Sequence, residues 1–447
     1  MRVEARPFTV VGAGRSGTAA ANLLARRGGD VVLVESRADA ERPADLDPRV
    51  AFQAGTNEVR SGDVAVLSPG IPEVSPLRGE IAAVAGEVIG EVELFARLCP
   101  APMVAITGTD GKSTTTTMIG AIIAEAGRHT FVGGNLGNPL CDDLDTLSSD
   151  SWVVAEVSAF QLTTCDRFRP RVAVVTNIAE DHLDYHGGFA PYQAAKRRIW
   201  AAMEPGDVLI LNRDDAAITA WELPTHLTIR WFSTQRRDGI DAWYEDGRLW
   251  LRSPEGPQSL MDRDELLLLG EHNVGNALAA ALSCQAVGLS PQVTRRALAA
   301  YRPLPHRLEI VGVIDQVRWV NDSKATNPNA ASAGLKSIDG PVILLAGGSS
   351  KDADFAGFAS LVRDRARATI LFGSTRETLR DAIGQGHGVI VVETLSEAVE
   401  EALRIATVGD TVLLGPACAS FDQFRSYGHR GEEFCRLVNA LGGSRGS

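Results

Sequence analysis

Residues 108–117, GTDGKSTTTT, set two glycines, a lysine and a run of hydroxyls directly after the apolar stretch MVAIT. Glycines let backbone N–H groups turn towards an oxyanion, lysine adds charge, and a hydroxyl at a helix start can take a metal ion. That combination does phosphate chemistry. The common loop of this kind, GxxxxGK[ST], needs a glycine five residues before its second one. Here Ile106 stands at that place, and the nearest upstream glycine is Gly108. Gly108, Gly111, Lys112 and Ser113 or Thr114 still suit a phosphate site, and by themselves they leave open a degenerate P-loop, a chance glycine-rich turn, or another family's version of the same device.

A second loop, VVGAGRSG, carries Gly12, Gly14 and Gly17 in the GxGxxG pattern, and acidic Glu35 ends the next strand pattern. Two readings stay open for it. One is dinucleotide binding with hydride transfer; the other is a tight turn that holds any anion at a helix N-terminus. Phosphate transfer also needs acidic ligands. Glu156 follows the apolar run WVVA, at the expected end of a buried strand, facing a site or paired in a structural ion pair. The stretch EDHLDYH offers Asp181, His182, Asp184 and His186. His182 and His186 have the spacing of a zinc pair but lack the HExxH glutamate and run into Gly187-Gly188, so a magnesium site beside the phosphate loop fits better. By composition Lys196, in YQAAKRRIW, reads as a solvated helix residue.

Positioning these groups requires alternating strands and helices, and the chain shows that alternation throughout. We read an α/β fold of three domains in series over residues 1–98, 99–303 and 304–447, with breaks at the proline-bracketed CPAP and at YRPLPHR. The length of 447 residues agrees with about three domains. A formal charge of −12 argues against a nonspecific nucleic-acid binder while leaving room for local basic sites. Six scattered cysteines form no CxxC pair and read as reduced thiols. No stretch approaches the ~20 apolar residues of a membrane span, and MRVEARPFTVVGAG enters a strand at once. The expectation is a cytoplasmic chain with no nucleic-acid or membrane partner, working as a monomer.

Read in order, TGTDGKSTTT, EVSAFQL, TNIAEDHLDYH, AAKRRIW, EHNVGNALAA, PHRLE, NDSKATN, GGSSKDADF and PACASFDQF resemble the Mur amide ligase family. The phosphate loop of that family is the shorter GxxGK[ST]T. NDSKATN and PACASFDQF point to its D-glutamate-adding branch and away from ligases such as folylpolyglutamate synthetase. An NAD-dependent dehydrogenase leaves the second loop and the set Glu156, His182 and Lys196 without a role. The resemblance implies a Rossmann-like first domain, a P-loop ATPase-type central domain and a Rossmann-like third domain. It implies ATP and magnesium as cofactors, with UDP-N-acetylmuramoyl-L-alanine and D-glutamate as the substrates joined.

Residue by residue, the resemblance puts the UDP substrate on Arg15, Ser16, Ser36, Arg37, Gly70 and Asn135, and ATP on residues 108–114 with Asn273, Arg307 and Asp322. One magnesium ion would sit on Ser113 and Glu156, and a second on His182 and Lys196, the lysine being carbamylated by CO2. Asp181, Lys351, Ser420 and Tyr427 would hold D-glutamate. Lys112, His182, Lys196, Lys324 and Thr326 would act in catalysis. Two positions depart from the family pattern: Asp110 replaces the usual asparagine and sets a negative charge beside phosphates, and Tyr427 replaces a common phenylalanine.

Overall fold

The computed structural model describes residues 1–181, 183–302, 305–350, 353–384 and 388–443. His182 and Lys351, both expected at the site, lie outside the described residues. Among those described, the strands form three sheets, and the chain divides into two compact units. The first unit takes Met1–Leu266 and His272–Tyr301; the second takes Leu267–Glu271 and the chain from Arg302 onwards.

Short runs rich in Val, Ile and Leu make the strands, and in PFTVV, DVVLVE and VAVL almost every side chain is buried. Burial on both faces is what a parallel sheet between helices requires. The first sheet runs Ala51–Ala54, Asp30–Glu35, Pro7–Val11, Val64–Leu67, Glu87–Gly90, parallel throughout. Its strand order reverses beside Pro7–Val11. The loops after that strand and after Val64–Leu67 therefore part to leave a crevice at the strand C-termini.

The second sheet has six parallel strands in the order Thr130–Gly134, Trp152–Glu156, Met103–Thr107, Val172–Val175, Val208–Asn212 and Thr228–Ser233. Ala242–Glu245, Arg248–Ser253 and Gly256–Asp262 extend it, the last two pairings being antiparallel. The hairpin of Ala242–Glu245 and Arg248–Ser253 is thus an extension of the second sheet. Its order reverses at Met103–Thr107, which puts the GTDGKS loop over a second crevice. In the second unit the order is Glu309–Ile314, Val317–Asn321, Thr411–Leu414, Val342–Gly347, Ala366–Phe372 and Val389–Val391. Only the edge strand Glu309–Ile314 runs antiparallel, a strand that the alternation in the sequence does not reveal.

The first two sheets share one core. A continuous apolar cluster runs from Phe8 and Leu24 through Leu94 and Phe95 to Leu140, Leu162 and Phe168. Between them the helix Glu91–Leu98 buries two glutamates, Glu91 and Glu93. The Glu93 carboxylate accepts from the backbone N–H of Asp166 (3.0 Å) and Arg167 (2.9 Å) and from Arg97 Nε at 2.6 Å. A buried charge survives only when paired and hydrogen-bonded in this way. Residue 98 is therefore a change of sheet within one core.

Replacing Glu93 by Ala takes from the nearly buried Arg97 one of its two carboxylate partners, leaving Glu87, and strands two backbone donors; it is expected to lower stability by about 3 kcal/mol. Chemical denaturation followed by tryptophan fluorescence checks this, and a loss of under about 1 kcal/mol contradicts the pairing argument.

Candidate active site

The strand Met103–Thr107 lies between Trp152–Glu156 and Val172–Val175, with Ile106 opposite Glu156 and Thr107 opposite Val175. This register brings three strand ends together: the glycine loop, Glu156, and the segment Thr176-Asn177. Gly108 has φ +145° and Gly111 +76°, backbone shapes that favour glycine. A Cβ at Gly108 would lie 1.9 Å from Thr176 Oγ1, and one at Gly111 would lie 2.3 Å from Asn276 Oδ1. The glycines are needed for room as well as for conformation.

Neighbouring segments of the chain hold the loop by its backbone. Asn177 accepts from Thr109 N through its carbonyl (2.9 Å) and from Asp110 N through Oδ1 (2.8 Å). Thr176 Oγ1 donates to the Asp110 carbonyl at 2.6 Å. Thr115 donates to Asn276 Oδ1 at 3.2 Å, and Asn276 Nδ2 donates to Asn273 Oδ1 at 3.0 Å, so helix His272–Ala286 braces the start of helix Lys112–Glu125. That start has no side-chain cap, which leaves its first N–H groups for an anion. The Lys112 ammonium donates to the Thr109 carbonyl at 2.6 Å, and Ser113 is buried. Asp110 is exposed with its backbone wholly engaged by residues 176–177, so its charge is turned to solvent.

Lys196 overturns the solvated-helix expectation. It is 2% exposed, donates to the Gly108 carbonyl at 2.6 Å, and lies 4.6 Å from the Tyr192 ring centre. Burial, helped by the nearby Lys112 charge, pushes its pKa down to about 7, so near neutral pH the amine is about half uncharged. Tyr192 OH sits 3.0 Å from Thr109 Oγ1, tying the same helix to the loop. Glu156 is buried and accepts from Asn135 Nδ2 at 2.7 Å through Oε1, while its buried Oε2 has no partner among the described residues. An orphaned carboxylate oxygen beside a phosphate cradle suits a divalent cation. Asn135, expected to touch the UDP substrate, is here the group that orients Glu156.

At the first crevice the helix Arg15–Arg26 also starts without a side-chain cap. Arg15 and Ser36 are exposed, Ser16 is half-buried, and Gly70 N donates to Ser68 Oγ at 3.3 Å. Glu35 is already engaged by its own loop. Its carboxylate accepts from Ala13 N at 3.0 Å and from Arg37 N at 3.2 Å, and these bonds, that from Ala13 first, hold its pKa below the usual range. The acidic residue of the dinucleotide pattern therefore caps its own loop.

The second unit gathers NDSKATN and PACASFDQF around one residue. Arg430, fully buried, donates to Ser323 Oγ (2.9 Å), to the Ser323 carbonyl (2.8 Å), to the Cys418 carbonyl (3.0 Å) and to the Ala419 carbonyl (3.2 Å). Burial lowers its pKa to about 10, which leaves it charged. Lys324 lies 5.7 Å from the Tyr427 ring centre, Thr326 N donates to the Lys324 carbonyl, and Ser420 Oγ is buried with no partner among the described residues. Asp322 is buried and accepts from Leu308 N at 3.2 Å, and burial raises its pKa to about 7, with Arg307 nearby opposing.

Residues 106–284 match the model of the Mur ligase middle domain, and residues 306–418 that of the Mur ligase glutamate ligase domain. A UDP-N-acetylmuramoylalanine–D-glutamate ligase of Salinibacter ruber is 41% identical over 97% of both chains. One of the same name from Acidobacterium capsulatum is 39% identical over 99% of this chain and 98% of its own. The chain belongs to the Mur ligase family. Solved Mur ligases share the fold at low identity. A MurF ligase of Thermotoga maritima in complex with ADP gives a TM-score of 0.61 at 16% identity, covering 99% of this chain and 96% of that one. The UDP-N-acetylmuramate–alanine ligase of the same organism gives 0.59 at 18%, covering 98% and 100%.

Thr176, Asn177, Tyr192, Asn276 and Arg430 are residues around the candidate sites that sequence reasoning did not single out. Four of them sit inside or beside motifs already noted, but their roles depend on strand neighbours.

Gly108→Ala is expected to weaken binding of a non-hydrolysable ATP analogue by about a hundredfold, since the new methyl collides with Thr176. Titration calorimetry reads this, and affinity within about threefold of wild type would contradict the cradle assignment.

Proposed function

We propose that the protein joins D-glutamate to UDP-N-acetylmuramoyl-L-alanine, with ATP cleaved to ADP and phosphate, in peptidoglycan precursor synthesis. The observation that carries this reading is the meeting of the Gly108–Gly111 loop, orphaned Glu156 and buried Lys196 at one strand end. Relatives that bear this ligase's name along the full chain support it. A carboxylate does not react with an amine in water, so it must first be activated. The terminal L-alanine carboxylate oxygen attacks the γ-phosphorus of ATP, ADP leaves, and an acyl phosphate forms. The D-glutamate amine then adds to the acyl carbon and loses a proton, and the tetrahedral intermediate expels phosphate to leave the amide.

In this reading residues 1–98 take the UDP moiety, with Arg15, Ser16, Ser36, Arg37 and Gly70 at the first crevice, joined by Asn135, which is hydrogen-bonded to Glu156. Residues 99–303 take ATP, whose phosphates lie on the uncapped helix start with Lys112 offsetting the charge that develops in transfer. Residues 304–447 bring Arg307 and Asp322 to ATP, Lys324 and Thr326 to the reacting groups, and Lys351, Ser420 and Tyr427 to D-glutamate, joined by Asp181. Ser113 with Glu156, and His182 with carbamylated Lys196, would hold magnesium ions that neutralise phosphate charge. The buried and partly neutral Lys196 amine supports carbamylation, because only the uncharged amine adds to CO2. We place the protein in the cytoplasm as a monomer; no helix among the described residues is long and apolar enough to cross a membrane.

Phosphate release with ATP, UDP-N-acetylmuramoyl-L-alanine and D-glutamate is the deciding assay. Release that is equal with L-glutamate, or absent, would sink the proposal. Carbamylation has its own test. In 13C-bicarbonate a carbamate resonance should grow from about pH 6 to about pH 8 as the Lys196 proton is lost, and should vanish in Lys196→Ala. That variant should lose at least about a hundredfold in kcat and recover part of it with added short carboxylic acids; full activity without them contradicts the role.

A further inference from the structure

The segment that carries Asp181 and the short helix Leu183–His186 is fastened to the first sheet's substrate loop by groups to which the reaction gives no task. Tyr185 OH lies 2.8 Å from the Pro69 carbonyl and 2.6 Å from the Ile71 carbonyl. Arg78, at the start of helix Pro76–Val84, donates to Tyr185 OH (3.0 Å), to the Ile71 carbonyl (2.8 Å) and to Thr163 Oγ1 (2.9 Å). Since Arg78 fills the acceptor side of the phenol, Tyr185 can donate its one proton to the loop carbonyls. His186 Nδ1 is 3.2 Å from Glu73 Oε2, and Phe160 packs on the Tyr185 ring with centres 4.1 Å apart. Ser68, which begins this loop, is pressed against the other substrate loop: a Cβ on Gly12 would be 2.7 Å from Ser68 Cβ.

We propose that Arg78 and Tyr185 are positioning residues that couple occupancy of the UDP-substrate loop to the placement of the short helix Leu183–His186, which follows Asp181 in the chain. The inference rests on the reading of the first crevice as the UDP-substrate site. Physically, the Pro69 and Ile71 carbonyls take their hydrogen bonds from side chains outside the loop, and a partly exposed loop keeps one shape only if something rigid holds it. The Tyr185 phenol does so from the central sheet's side, and Arg78, on the helix that follows the loop, ties Tyr185 and Thr163 to the Ile71 carbonyl. A diphosphate that orders residues 68–70 thereby orders residues 183–186 through the Tyr185 phenol, whose one proton the Pro69 and Ile71 carbonyls share. A misplacement of about 1 Å in catalytic groups can cost on the order of a hundredfold in rate, so even a soft link is functionally visible.

Tyr185→Phe keeps the ring packed on Phe160 and removes only the hydroxyl; Arg78→Met keeps the stem and removes the fork. Each is expected to lower kcat about tenfold and to raise the magnesium concentration for half-activation about fivefold, with KM for ATP within about twofold of wild type. The double variant should be no worse than the poorer single one, because one linkage is broken only once. Unchanged kcat, multiplying effects, or losses that merely follow a fall in melting temperature overturn the proposal. A wild-type protein that releases no phosphate with these substrates would sink the proposed function instead. The coupling is then decided by hydrogen exchange of the unliganded chain, where Tyr185→Phe must speed exchange at the Gly70 and Ile71 amides about fivefold, and equal rates refute it.

Discussion

The loop at residues 108–111 has backbone groups that point where no side chain could let them point, and everything around it exists to hold that shape. Left-handed φ at Gly111 and an extended positive φ at Gly108 are affordable only without a Cβ, and even so the loop needs outside support. Asn177 grips two amides, Thr176 a carbonyl, and Lys196 the carbonyl of Gly108. Each of these comes from a strand end or helix adjacent to Met103–Thr107 in the sheet and distant from it in sequence. The strand order therefore matters more to this site than any single motif.

Lys196 illustrates how one environment sets both structure and chemistry. Taking an ammonium out of water is costly, and the Gly108 carbonyl and the Tyr192 face offset that cost only in part. The remainder appears as a pKa near 7, which makes the amine available for reaction at the pH of a cell. Glu156 is the complementary case. One oxygen is satisfied by Asn135 and the other is left bare in a buried place, an arrangement that stores affinity for a cation.

The second unit follows the same logic with a different anchor. Arg430 spreads its guanidinium over Ser323 and the carbonyls of Cys418 and Ala419, so the ends of two neighbouring strands are held as one surface. This explains why NDSKATN and PACASFDQF belong together: they are the loops after strands Val317–Asn321 and Thr411–Leu414, which pair in parallel. In the first sheet Glu35 plays the corresponding part by accepting from Ala13 and Arg37. A carboxylate at that place reads in sequence as a ribose ligand, and only its hydrogen bonds reveal it as a loop cap.

Much of the fold was legible without coordinates, because buried parallel strands need unbroken apolar runs and glycine loops need glycine. The runs FTVV, MVAIT, WVVAE and PVILLAGG, the shortened phosphate loop and the helix beginning at Lys112 are local properties, and local chemistry determines them. What could not be read locally is whatever depends on which strand lies beside which. The burial of Lys196, the outward turn of Asp110, the role of Asn135 as holder of Glu156, and the antiparallel edge Glu309–Ile314 all fall in that class. A hydrogen bond between residues 88 positions apart, as from Lys196 to Gly108, leaves no periodicity in the chain. Only tertiary packing, by excluding water from that contact, turns an ordinary helical lysine into a buried amine.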